Sequence, residues 1–243
     1  MIKVAKIYQE IRTGSSLPLV VGGNDGEKYV VKLRGSGDGV LANVVEWLAI
    51  RLGQLLGIPV VEPELLAINA RLSGEAGDPE IKELLQRSVG INFGTRFKED
   101  ARPYDQQKNI PVDDSLQTAI FLYDLFLLNI DRTPRNPNMI FSDNRLWCLD
   151  YSSALTIRCA IDQQGYKELP LLRQIKRHPF YSPKIKAHDF IHELRNVDDD
   201  RLIKIVDELP DEWIGRLAPG KVLSRTRRII TDGLIAKGAG DSF

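Results

Sequence analysis

Apolar residues recur along the chain in two rhythms, one of strands and one of helices. Across residues 17–33, LPLVVGGNDGEKYVVKL, two β-rich runs flank Gly22-Gly-Asn-Asp-Gly26 and predict a hairpin. After a glycine-rich break at 35–39, Val44, Leu48, Leu52, Leu55 and Leu56 fall at helical spacing and predict a helix over 40–56, ended by Gly57. Residues 58–68 return to a strand-like pattern, with prolines tolerable at a strand start or on an edge. Over 71–110 the periodicity weakens, and the stretch reads as a connector with one helix near 79–87.

Farther on, Asp113 or Asp114 can cap a helix running to Leu128, apolar nearly all round and so expected to be buried. A loop over 129–138, rich in Pro, Arg and Asn, leads into strand-like runs at 139–141 and 146–149 around the turn Ser142-Asp-Asn-Arg145. Beyond Tyr151 the pattern is mainly helical, with candidates at 168–176, 187–194, 199–209, 211–217 and 221–235, and a tail from 238 expected to fray.

Thirty-three basic residues balance thirty-three acidic ones, so no global field draws the chain to nucleic acid or an anionic membrane. The basic cluster Lys221, Arg225, Arg227 and Arg228 reads as a solvated helix face. Cys148 and Cys159 have neither metal-ligand spacing nor a disulfide framework, and with no signal peptide or apolar span the expected place is the cytoplasm. His178, His188 and His192 read as surface or packing residues, and Trp47, Trp147 and Trp213 as core or interlobe aromatics.

Chemistry concentrates in Asn129-Ile-Asp131-Arg-Thr-Pro-Arg-Asn136 and, after the short hairpin, Leu149-Asp150. Phosphoryl transfer needs a carboxylate to orient and deprotonate the attacking hydroxyl, and an amide with a second carboxylate to hold Mg²⁺ on the nucleotide phosphates. Asp and Asn also gather in loops as Asx turns and caps, so the spacing alone is weak. The order of buried helix, acid, amide, hairpin and second acid strengthens it. Upstream, Lys32 sits inside the apolar strand Tyr29-Val-Val-Lys-Leu33, where it either faces water or needs a partner, and Glu46 on the next helix can supply one. Arg12-Thr-Gly14-Ser15-Ser16 is either a plain turn or a place where backbone N–H groups meet phosphate. Arg132 and Arg135 can contact phosphate or anchor the loop to a neighbouring acid.

These segments, with Gly90-Ile-Asn-Phe-Gly94 and Leu149-Asp-Tyr-Ser-Ser153, resemble HipA-like kinases, a bacterial branch of the protein-kinase-like superfamily that includes the phosphoinositide kinases. The resemblance implies an α+β, two-lobed protein-kinase-like fold: a small β-rich lobe over 1–70, a mainly helical catalytic lobe over 71–237, and the tail 238–243. It implies Asp131 as catalytic base, Asn136 and Asp150 as Mg²⁺ ligands, Lys32 on the phosphates of ATP with Glu46 as its partner, and Gly14, Ser15 and Ser16 as the phosphate loop. Residues 64–68, Leu66 and Ala67 among them, become the hinge whose backbone reads adenine. Asp150-Tyr-Ser replaces the Asp-Phe-Gly of protein kinases as a family trait. The toxins of that family are longer, with a further N-terminal subdomain, so no toxin role carries over.

The implied reaction moves the γ-phosphoryl group of ATP to a hydroxyl, by analogy a protein Ser or Thr. A small molecule or lipid-like alcohol as acceptor, and a pseudokinase acting through partner binding, are the alternatives. A regulatory protein partner and self-phosphorylation at Ser15 or Ser16 belong to the same expectation.

Overall fold

The computed structural model describes residues 1–11, 17–105, 111–162, 173–185, 197–220, 224–225, 227–228 and 230–232. Five strands close a barrel in the order β1-β2-β3-β5-β4: β1 (Ile2–Glu10), β2 (Leu19–Gly23), β3 (Lys28–Lys32), β4 (Pro63–Ile68) and β5 (Gly90–Arg96). Neighbours run antiparallel except β1 and β4, which meet in a short parallel step with Ile2 opposite Leu66. The expected hairpin is β2–β3, with Val20 opposite Val30. On β3 the two-residue period buries Tyr29 and Val31 in the barrel and leaves Lys28, Val30 and Lys32 half-buried on the other face. That alternation turns Lys32 outward from the barrel core.

Two strands depart from the sequence expectation. β1 carries irregularities between Val4 and Lys6 and between Ile7 and Gln9, which break the period-two pattern that would have revealed it. β5 comes from the stretch expected to be a connector, and it pairs with both β3 and β4. The β-rich part therefore runs on to Arg96 instead of ending near residue 70. Gly94 on β5 is required: a Cβ there would lie 2.3 Å from Leu66 Cδ1 and 2.9 Å from the Val30 carbonyl oxygen. A 3₁₀ turn (Ala70–Gly74) and α2 (Pro79–Arg87) add Leu72, Ile81 and Leu85 to the barrel's hydrophobic cluster.

The helix α1 (Val40–Leu55) matches its predicted range, and Gly57 follows it at φ 71°, in the left-handed region that favours glycine. α1 belongs to a second, larger hydrophobic cluster with α3 (Asp114–Leu127), α4 (Leu155–Asp162), α5 (Asp199–Asp207) and α6 (Asp211–Leu217). Asp113 caps α3 as expected, accepting the N–H groups of Ser115 (2.9 Å) and Leu116 (3.4 Å). A small sheet of β6 (Arg102–Pro103), β7 (Met139–Ser142) and β8 (Arg145–Cys148) completes the order. Its β7–β8 turn places Asp143 and Asn144 at φ 53° and 56°, a two-residue reversal with both φ positive.

The run 58–68 divides its work. Residues 59–61 attach to β8, the Cys148 N–H donating to the Pro59 carbonyl (2.6 Å) and the Val61 N–H to the Cys148 carbonyl (3.0 Å), and only Pro63–Ile68 enters the barrel. From the other side Trp213 on α6 packs edge-on to Trp47 on α1 at 6.3 Å and donates to the Ile91 carbonyl (2.8 Å). α5 and α6 match the helices expected at 199–209 and 211–217. The helix expected at 187–194, most of those at 168–176 and 221–235, and the tail 238–243 lie outside the described residues. No helix among the described residues is long and apolar enough to cross a membrane.

Candidate active site

Lys32 leaves β3 on the face turned toward α1, and its ammonium lies 2.9 Å from Glu46 Oε2 and 2.8 Å from Asp150 Oδ1. Glu46 is 1% exposed and also accepts the Tyr151 backbone N–H at 3.0 Å, so α1 is tied both to the barrel strand and to the segment after β8. Asp150 adopts φ 59°, a left-handed conformation that costs a side-chain-bearing residue about 1–2 kcal/mol. This turn follows β8 directly, and the carboxylate meets Lys32 and the Ser152 hydroxyl (3.1 Å).

One ammonium faces two carboxylates. Burial pulls the Lys32 pKa down, but Glu46 and Asp150 together hold it above its ordinary value. Burial raises Asp150, and Lys32 more than offsets this, leaving it lowered. Glu46, the most enclosed, is held up by burial, with Lys32 opposing and Asp150 adding repulsion. The cluster carries a surplus of negative charge, which favours a further cation.

Asp131 stands exposed at the start of the loop after α3. α3 ends at Leu127, and the capping residue Leu128, left-handed at φ 49°, turns the chain into the loop. Asp131 Oδ2 accepts the side-chain amides of Asn136 (3.1 Å) and Asn138 (3.3 Å). Both amides thus spend an N–H on Asp131 and keep their carbonyl oxygens for other partners. The Leu149 N–H donates to the Asn138 carbonyl (3.0 Å), which joins this loop to the segment bearing Asp150.

Beneath the loop lies a second charged cluster. Arg132, fully buried, donates to Asp124 through Nε and to the carbonyls of Pro137 (2.8 Å) and Asn138, and lies over the Tyr151 ring at 4.9 Å. The anchoring role expected as one option for Arg132 is the one its contacts show. Asp124 also accepts from Asn129 (3.1 Å) and lies 2.9 Å from His178 Nε2. The Phe180 N–H donates to His178 Nδ1 (3.0 Å), so the neutral ring carries its proton on Nε2 and donates to Asp124. Burial lowers the His178 pKa despite Asp124, while Asp124 itself is lowered, its burial outweighed by Arg132 and His178. Neither Asp124 nor His178 was a candidate from the sequence. The signal was an acid inside the apolar and aromatic run of residues 119–128, which requires a buried partner.

Two cavities open at this site. A small one of about 150 Å³ is lined by Lys32, Asn43 and Ser152, and Asn43 is buried with its amide nitrogen lacking a hydrogen-bond partner among the described residues. A larger one of about 550 Å³ is walled in part by Asp131, Arg158 and Arg177. Another of about 550 Å³, near Pro59, Leu116 and Trp147, holds none of the candidate groups. Among the described residues no three His, Cys, Asp or Glu converge into a metal cage. An amide and a carboxylate of the Asn136 and Asp150 kind fit a hard cation that keeps waters and shares phosphate oxygens. The orphaned Asn43 donor beside Lys32 fits an anionic, phosphate-like group.

Leu66 and Ala67 do not form a hinge. Both lie within β4 with partners on both edges, Ile2 and Lys3 of β1 on one and Asn92 and Ile91 of β5 on the other, and Leu66 is fully buried in the barrel. Backbone committed to two ladders cannot read an adenine edge. The chain instead leaves the barrel for β6 through residues 97–101. Gly14, Ser15 and Ser16 lie outside the described residues.

A family model described as HipA-like kinase matches residues 4–230. Among solved structures, the Golgi casein kinase aligns at a TM-score of 0.50 and 10% identity, covering 98% of this chain and 72% of that one. The proinflammatory kinase CtkA of Helicobacter pylori aligns at 0.48 and 12% identity, covering 98% and 97%. A structure of the Golgi casein kinase with Mn/ADP bound aligns at 0.48 and 9% identity, covering 100% and 74%. No curated protein sequence matches.

Proposed function

Since the chain belongs to the HipA-like kinase family, we propose that it is a two-lobed kinase dependent on ATP and Mg²⁺, transferring the γ-phosphoryl group to the hydroxyl of a protein Ser or Thr. The observation that carries the reading is the bridging of Lys32 between Glu46 and Asp150, at 2.9 and 2.8 Å, across the join of barrel and helical part. Free-standing ion pairs do not need one cation between two acids. A site that must accept phosphates and a second cation does.

In this reading Lys32, steadied by Glu46, meets the nucleotide phosphates, and the Asn43 amide donates to one of their oxygens. Asn136 and Asp150 would hold Mg²⁺, which supplies neutralisation of the charge on the transferring group. Asp131 orients the acceptor hydroxyl and takes its proton, its own position set by the Asn136 and Asn138 amides. Arg132 keeps the loop carbonyls in register from below. Adenine would meet backbone from residues 97–101, in place of Leu66 and Ala67.

The test is incubation of the purified chain with γ-labelled ATP, with and without Mg²⁺, beside Asp131→Asn. Mg²⁺-dependent label on a Ser or Thr, in the parent alone, is the expected result. Equal labelling of both proteins, or labelling without a divalent cation, overturns the assignment.

A further inference from the structure

The cavity of about 550 Å³ at Asp131 and the one of about 150 Å³ at Lys32 share three wall residues, Asp38, Ser153 and Arg158. The two spaces therefore adjoin at one partition, with the phosphate-side cation beyond it and the candidate base on the near side. The larger has the size of a ligand site, within about 300–1,000 Å³. Ile130 and Leu155 give it apolar wall, and Thr133 and Ser153 give it hydroxyls.

Two guanidiniums reach this cavity, and they are not equivalent. Arg158 donates to the Ser152 carbonyl through Nε (2.9 Å) and NH2 (2.7 Å) and to Asp38 at 2.5 Å, so its charge is already matched and it builds the partition. Arg177 is exposed, and among the described residues its guanidinium has no ion pair or hydrogen bond. The wall therefore presents one unmatched cation, together with the Asp131 carboxylate, which repels any anion placed directly at the reacting point. An acceptor that suits both carries a neutral hydroxyl toward Asp131 and a negative group set apart from it, toward Arg177.

Resting on the kinase reading above, we propose that this cavity is the acceptor site and that it selects a Ser or Thr peptide bearing an anionic side chain near the hydroxyl, paired with Arg177. The anionic group is the carboxylate of Asp or Glu, or a phosphate ester. In the step itself the acceptor oxygen forms a bond to the γ-phosphorus, and the bond from that phosphorus to the β,γ-bridging oxygen breaks. ADP departs with the electron pair, and the hydroxyl proton passes to Asp131.

The experiment uses the full chain with Mg²⁺ and ATP and a set of Ser peptides differing only in one flanking residue, varied at each position in turn among Glu, phosphoserine, Ala and Lys. ATP turnover and peptide labelling are read separately. The expected result is a kcat/KM about tenfold higher for the best Glu or phosphoserine peptide than for its Ala counterpart, with Lys lowest. Arg177→Glu should reverse that order, a change that simple loss of structure does not produce. Preference for Glu over phosphoserine identifies a carboxylate source, and the reverse identifies a primed acceptor; either supports the proposal. A flat series in the parent, or an order unmoved in Arg177→Glu, overturns it. Mg²⁺-dependent ATP turnover with no peptide labelled overturns the acceptor proposal and leaves the kinase reading standing. No ATP turnover removes both.

Discussion

Two charged clusters meet at the segment 149–151, Glu46 of one accepting the Tyr151 N–H and Arg132 of the other lying over the Tyr151 ring, and they are built on opposite principles. At Lys32, one cation is shared by Glu46 and Asp150, Asp150 remains a third exposed, and a neighbouring amide nitrogen, that of Asn43, has no hydrogen-bond partner among the described residues. At Arg132, the cation and Asp124 are both fully buried, each carboxylate oxygen is satisfied, and His178 closes the remaining side. The first has spare charge and a spare donor and opens on a cavity. The second has matched charge and is sealed. Burial with matched partners holds a loop in one place, whereas unmatched charge at the edge of a cavity is what a ligand can complete. The contrast separates positioning from chemistry more sharply than burial alone, since Lys32 and Glu46 are themselves largely enclosed.

This contrast is open to attack by substitution, beginning with the largest effect. Asp131→Asn should lower phosphoryl transfer by about 10²–10⁴-fold, the usual worth of a general base. Because the side chain is exposed, its thermal melting should match the parent; a transfer loss under about tenfold would remove Asp131 from the chemistry. Asp124→Ala should cost about 3–5 kcal/mol in urea unfolding, because it strands a buried guanidinium. A cost near zero would show that the sealed cluster is not what anchors the loop. Lys32→Met should invert that profile: transfer down by roughly 10²-fold, but stability within about 1 kcal/mol, since Glu46 can take up a proton once its cation is gone. Urea unfolding beside a transfer assay distinguishes the two clusters directly.

A smaller effect follows from protons. His178 is lowered below its ordinary value of 6.5, chiefly by burial, so the unfolded chain binds its proton first as pH falls. Stability is then fully present above 6.5 and declines as pH drops from there through the lowered value. Asp124, lowered from 3.8, contributes only to losses below that value, and Glu46, raised from 4.5, works in the opposite direction. Melting curves taken above and about one unit below the ordinary histidine value should show the decline, and His178→Gln should flatten it. Smallest of all, Arg51→Ala should cost about 0.5 kcal/mol, because its pair with Glu208 at 2.6 Å is about one third exposed on each side. A markedly larger loss would mean that contact between α1 and α5 holds α1 more firmly than its exposure suggests.

Much of this was legible in the residues. The hairpin turn, the helical spacing of α1, the Asp113 cap and the two-residue β7–β8 reversal are local codes, and each is found where its pattern lies. The order Lys32, Glu46, Asp131, Asn136, Asp150 was also visible, because strand-borne lysine, helix-borne acid and loop acids are uncommon in that sequence. β1 was hidden by its irregular pairing, and β5 by a short run, Gly90-Ile-Asn-Phe-Gly94, whose glycines weaken any strand pattern. The hinge expectation for Leu66 and Ala67 met a paired strand for a related reason. An apolar run such as Glu64-Leu-Leu-Ala67 looks alike whether its backbone edge is open or paired, and β5 takes the edge that adenine would have needed.

By itself, then, the sequence determined the local elements and the set of residue types capable of phosphoryl transfer, since both depend on neighbours a few positions apart. Only the tertiary structure decided that Lys32 bridges two acids 14 and 118 positions away. It alone brought His178 to Asp124, 54 positions earlier, and set Arg177, without an ion pair among the described residues, in the wall of the cavity that Asp131 also lines. Such pairings depend on how the barrel closes and how α1 and α3 pack. The free energy of a buried charge is set by the partners that packing delivers, which no short window of sequence contains.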